Sequence, residues 1–148
     1  MANETMSSSS HVVVVVESDV LVRMPIAGYL RECGFKVVEA VNGAEAMTVL
    51  QDAELPVEVV LTDAALVGEP NGFALATWMR DNHPQIHVIL AANTASAAAQ
   101  AGKLCDEHPS VTKPYDHQLV ETRIRQLIAA RDRFKLLHPP GIPKPPLS

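Results

Sequence analysis

A chain of 148 residues, 47% of them apolar, is long enough to bury a core of its own and too hydrophobic to be disordered throughout. Its formal charge of −5 gives no basic surface for a phosphate backbone, so no nucleic-acid partner is expected. No apolar run is long enough to span a bilayer and no secretory segment is evident, which predicts a cytoplasmic protein with no membrane partner.

The polar stretch 1–10 reads as a disordered lead. "HVVVVV" is the first strand. The segment "DVLVRMPIAGYLREC" after it has helical spacing, with Val20, Leu21, Met24, Ala27, Tyr29 and Leu30 close to one stripe. Pro25 removes one helical hydrogen bond, predicting a kink or a late start, and Gly34 ends the helix. "FKVVEA" and "VEVVLTD" are the next strands, with "GAEAMTVLQDA" as a helix between them. The helix "NGFALATWMRDN", packed through Phe73 and Trp78, stops at His83-Pro84, because a residue before proline avoids the α region. "IHVILAAN" is the fourth strand and "TASAAAQAGKLC" a weakly amphipathic helix. A short strand, "PSVT", precedes "KPY". The last helix, "DHQLVETRIRQLIAARDRF", has Leu119, Val120, Ile124, Leu127 and Ile128 on its apolar side. Residues 136–148 are proline-rich and predict a disordered tail, leaving 11–135 as one domain. Cys33 and Cys105 are too few for a disulfide framework and read as reduced and mostly buried.

Repeated strand–helix alternation, with apolar rather than alternating strands, predicts an α/β fold with a parallel sheet covered on both faces. Ligands of such sheets bind past the carboxyl ends of the strands. The residues there are Glu17, Ser18 and Asp19, then Asp63, then Ala91, Ala92 and Asn93, then Lys113. Carboxylates from two strands suit a hard divalent cation, and a lysine suits an anion. Asp19 reads as a helix cap rather than a ligand. His83 and His87 are separated by Pro84 and a strand start, so they do not form a metal pair. No nucleophile elbow, phosphate-binding glycine loop or CxxC pair occurs.

The acidic cluster after "VVVVV", Asp63 in "VVLTD", "GEPNGFALA" behind it and Lys113 in "KPY" resemble, in order and spacing, a bacterial response-regulator receiver domain. The likeness runs from Val12 to Phe134. It implies a (βα)5 flavodoxin-like fold, a three-layer sandwich with parallel sheet order 2-1-3-4-5. It implies that Asp63 accepts a phosphoryl group from a histidine kinase or histidine phosphotransfer protein in a two-component phosphorelay. Mg²⁺ would be held by Glu17, Asp63 and the Ala65 carbonyl, with Lys113 on the phosphoryl oxygens and the backbones of Ala65 and Ala92 as further contacts. No independent enzyme is expected beyond Mg-assisted self-phosphorylation and slow self-dephosphorylation. Output would run through protein–protein interaction with an unknown downstream partner; homodimer formation is open.

Four departures from the family pattern qualify that expectation. Ser18 stands where a second carboxylate is usual, so magnesium binding should be weak. Ala91 stands where a serine or threonine hydroxyl is usual, and Ser110 where an aromatic residue is usual. The loop between Asp63 and Gly72 is one residue longer than the commonest form and has Leu66-Val67 in place of Met-Pro. The alternative is therefore a pseudo-receiver, a binding module that is not phosphorylated or does not switch in the usual way. A flavodoxin-like cofactor binder is disfavoured, since the first loop has no Ser/Thr/Gly-rich phosphate cradle.

Overall fold

Strand β1 (Val12–Val16) is flanked by β2 (Lys36–Ala40) and β3 (Val57–Asp63), followed by β4 (His87–Ala92) and β5 (Val111–Thr112). All pair in parallel, in the order β2-β1-β3-β4-β5. The computed structural model describes residues 11–92 and 111–137; the lead, Cys105, Ser110, the expected helix over 94–105 and the residues after 137 lie outside them. Helices α1 (Val20–Glu32), α2 (Gly43–Leu50), α3 (Gly72–Asn82) and α4 (His117–Leu137) connect or follow the strands. The last helix continues to Leu137, past the expected boundary at 135.

The valine run is explained by the period-2 pleat between two covered faces. Val12, Val14 and Val16 enter a core with Ala46 and Leu50 of α2 and Leu75, Ala76 and Met79 of α3. Val13 and Val15 enter the other core, with Ile26, Ala27 and Leu30 of α1 and Val120, Ile124, Leu127 and Ile128 of α4. All five valines are buried, each contributing roughly 1.5–3 kcal/mol of transfer free energy. Phe73 and Trp78 pack on the first core, as the spacing of α3 predicted.

Helix α1 narrows one expectation and corrects another. It begins at Val20, capped by Asp19 Oδ1 accepting the Leu21 N–H at 2.9 Å, so Pro25 does not delay its start. Val20, Leu21 and Met24 are 44%, 80% and 60% exposed rather than part of the buried stripe. The reason is angular: the buried line through Ile26, Ala27 and Leu30, traced back one turn, meets Arg23 instead of Met24. Arg23 spends its inward position on polar partners: Nε donates to Glu39 and Nη1 donates to the Glu17 carbonyl at 2.8 Å. On α4, Leu119 lies one residue off the buried line and is 42% exposed, again against expectation.

The end of α1 follows the expected signal. Gly34 adopts φ 103°, its N–H bonds the Arg31 carbonyl, and the Phe35 N–H reaches back to Leu30. Cys33 is a free, half-buried thiol. Burial pushes its pKa up, which suits a structural cysteine. Tyr29 donates to Glu121, whose other oxygen accepts from Arg125, so a polar network ties α1 to α4.

Candidate functional site

The pleat that sorts the valines also sorts the chemistry. Val13 and Val15 face the α1/α4 core, and two residues on, Glu17 continues that parity past the end of β1. Val59 and Leu61 face the same core, and Asp63 continues their parity at the end of β3. Register brings the two ends level: Val16 pairs with Thr62, and Asp63 pairs with Ala91 of β4, which pairs with Val111 of β5. Lys113 follows two residues after Val111, its backbone N–H held by the Ala92 carbonyl at 2.7 Å.

The three charged side chains meet. Lys113 Nζ donates to Glu17 Oε1 at 2.7 Å and lies 3.3 Å from Asp63 Oδ2. Glu17 is 2% exposed, so this is a buried three-charge group rather than a surface pair. Burial alone would lower the lysine pKa, but the hydrogen bond to Glu17 and the charges of Asp63 and Glu17 outweigh it and hold Lys113 above its ordinary value. The remaining oxygens are also engaged: Glu17 Oε2 accepts the Asp19 N–H and Asp63 Oδ1 accepts the Ala65 N–H.

The other residues singled out from the sequence fall around this group. Ser18 Oγ accepts the Val67 N–H at a long 3.4 Å, tying the loop after β1 to the loop after β3. Asp19 caps α1 and is not a third acid of the group. Ala65 approaches Asp63 through its N–H, whereas Ala92 meets Lys113 through its carbonyl. Ala91 is fully buried and presents only a methyl beside Asp63.

Two residues that motif reasoning passed over also belong here. Arg23 fixes the backbone of Glu17 from α1. Tyr115 lies against Lys113, its ring centroid 5.9 Å from the ammonium. Its place two residues beyond the lysine was the one available signal.

The loop carrying Ala65 is locked by close backbone approach. A Cβ on Gly72 would stand 2.1 Å from the Asp63 carbonyl oxygen, so only glycine lets α3 start against the end of β3. Asn71 caps that helix by accepting the Ala74 N–H.

Among the described residues no group of three His, Cys, Asp or Glu side chains gathers as a metal-ligand set. Glu17 and Asp63 nevertheless hold a cation already, the Lys113 ammonium. Two carboxylates suit a hydrated Mg²⁺, which takes one or two protein acids and keeps several waters. The donor set therefore fits such an ion, in competition with Lys113. A cavity of about 550 Å³ lined by His11, Val57 and Ile86 opens at the other end of the strands, away from this chemistry.

Comparison with known proteins agrees with the geometry. The family model described as response regulator receiver domain matches residues 13–125. The chain is 27% identical over 126 residues to the sensor kinase CckA of Brucella abortus, covering 84% of this chain and 13% of that protein. It is 29% identical over 118 residues to the response regulator RR06 of Streptococcus pneumoniae, covering 78% of this chain and 52% of that one. The crystal structure of a response regulator receiver protein from Sinorhizobium medicae superimposes with a TM-score of 0.72 at 21% identity, over 84% of this chain and 98% of that one, a likeness of fold. The chain thus spans at most about half the length of these two relatives. With the sheet order, the three converging charges and a family match over most of its length, the chain belongs to the response regulator receiver domain family.

Proposed function

We propose that Asp63 accepts a phosphoryl group from the phosphohistidine of a histidine kinase or histidine phosphotransfer protein. An Asp63 oxygen attacks phosphorus, an O–P bond forms, and the N–P bond breaks. The imidazole nitrogen leaves with the electron pair and takes up a proton. One observation carries this reading: carboxylates at the ends of two neighbouring strands share one half-buried ammonium. Catalysis of phosphoryl transfer is mostly positioning and charge neutralisation, and this is a charge-neutralising site. The Ala65 N–H on Asp63 Oδ1 orients the nucleophile, and Lys113 can exchange its contact with Asp63 for one with the transferred oxygens. Glu17, Asp63 and the Ala65 carbonyl would hold Mg²⁺, which when bound supplies further charge neutralisation.

Val20, Leu21 and Met24 of α1, and Val67 on the loop tied to Ser18, are exposed apolar side chains on the segments that follow Glu17 and Asp63. We assign them to partner contact, the output being protein–protein association. No helix among the described residues is long and apolar enough to cross a membrane.

To test the assignment, the protein is incubated with acetyl phosphate and Mg²⁺ and weighed intact. Gain of one phosphoryl group, absent in Asp63→Asn, is the expected result; no gain in the native chain refutes it. Ser18→Asp adds a carboxylate at the rim and should tighten Mg²⁺ binding by roughly ten-fold, read by calorimetry. Unchanged affinity would mean that residue 18 does not reach the ion.

One observation favours a second reading, a pseudo-receiver binding module. The Lys113 ammonium already satisfies both carboxylates without a metal. Absent mass gain, together with partner binding indifferent to beryllofluoride, would select it.

A further inference from the structure

We propose that the Tyr115 hydroxyl donates a hydrogen bond to the phosphoryl group carried by Asp63, supplying the donor that Ala91 lacks. The inference rests on the phosphoacceptor reading and adds a residue to it.

The Tyr115 hydroxyl is shielded from solvent and finds no hydrogen-bond partner among the described residues. A buried O–H left unpaired is destabilising, and buried tyrosine hydroxyls usually have a partner. Here the orphan is at the candidate site. Tyr115 sits two residues after Lys113, whose ammonium lies over its ring. It packs on the core that contains Ala91, the strand partner of Asp63.

The protein's own acids do not meet this donor. Glu17 accepts from Lys113 and the Asp19 N–H; Asp63 accepts from the Ala65 N–H and pairs with Lys113. A phosphoryl group on Asp63 would bring three new acceptor oxygens beside Lys113, whose ammonium lies over the Tyr115 ring. The proton is also secure. Burial first, then the negative charges of Glu17 and Asp63, push the Tyr115 pKa far above its ordinary value, so the phenol stays a donor throughout the physiological range. The sequence pattern had suggested that both the usual hydroxyl and the usual aromatic residue were gone. Tyr115 brings an aromatic ring and a hydroxyl together from the other side of Lys113.

The test is Tyr115→Phe in the full chain, which removes the hydroxyl and keeps the ring. The probe is beryllofluoride with Mg²⁺, titrated by calorimetry, with thermal unfolding followed before and after. Without probe, the variant should melt at or slightly above the native temperature, since an unpaired buried group has been deleted. Beryllofluoride affinity should fall about ten-fold, as for loss of one hydrogen bond to a charged group. Ala91→Thr in the Tyr115→Phe background should recover part of it by offering a hydroxyl from β4. Native protein and Tyr115→Phe binding the probe equally well would overturn the role of the hydroxyl and leave the phosphoacceptor reading intact. A variant that loses stability without probe, and no more with it, would also overturn it, by marking Tyr115 as packing alone. Native protein that binds no beryllofluoride would bring down the phosphoacceptor reading and this inference with it.

Discussion

Lys113→Met should lose about 2–4 kcal/mol of stability, because it leaves two carboxylates facing each other without their shared cation. Nζ stands 2.7 Å from Glu17 and 3.3 Å from Asp63, and the side chains of Glu17 and Asp63 are only 2% and 10% exposed. Removing one partner of a buried ion pair costs roughly 3–5 kcal/mol; partial exposure of Lys113 and the ammonium's own desolvation cost reduce the figure. Methionine keeps the length of the stem, so the loss is electrostatic rather than a cavity. The distinguishing feature is rescue. Millimolar Mg²⁺ should restore part of the deficit in Lys113→Met, since a divalent ion can take the place between the acids, and should stabilise the native chain less. Denaturant melts with and without the ion decide this; a variant as stable as the native chain would show that the three charges do not act as a group.

Gly72→Ala should also be damaging, by a different mechanism. The added methyl would meet the Asp63 carbonyl oxygen at 2.1 Å, the Ala64 Cα at 2.6 Å and the Asp63 carbonyl carbon at 2.9 Å. All are backbone atoms of the segment that carries Asp63, so no rotamer change relieves the clash. Overpacking of this kind costs about 1–3 kcal/mol and occasionally more, and here the adjustment must move the end of β3 or the start of α3. The expected outcome is a loss of more than about 2 kcal/mol in denaturant melts, with phosphoryl uptake reduced beyond what the unfolded fraction explains. Gly28→Ala is the control: nothing lies within 4 Å of a Cβ there, and alanine in mid-helix should stabilise α1 by up to about 1 kcal/mol. Equal behaviour of the two variants would contradict the close-approach argument.

How much of this was legible in the sequence depended on the physics involved. Strands β1, β3 and β4 were plain, because a buried parallel strand leaves a continuous apolar run with nothing else in its place. The convergence of Glu17, Asp63 and Lys113 was plain for a related reason: Glu17 and Asp63 close such runs, Lys113 follows the short β5, and parallel strands bring their carboxyl ends to one edge. What the three charges do to one another was hidden, since a lysine pairing with both acids depends on side-chain geometry that spacing does not encode.

The inner face of α1 was misread because Met24 looks like a core residue and Arg23 does not, although the arginine is held inward by the Glu17 carbonyl and Glu39. Polar partners can outbid apolar composition at the rim of a core, where both backbone acceptors and solvent lie close. Tyr115 was overlooked for the opposite reason. An orphan hydroxyl is defined by what fails to surround it, and only three-dimensional packing reveals that.

The most direct test of the account is to find where the phosphoryl group resides. An acyl phosphate is reduced by borohydride to an alcohol, so protein treated with a phosphohistidine donor or acetyl phosphate, reduced and digested should yield a peptide with homoserine in place of Asp63. That product, dependent on phosphoryl donor and lost in Asp63→Asn, is the predicted result. Label on another residue, or an unreduced Asp63 in protein that has gained a phosphoryl group, would contradict the assignment of the site.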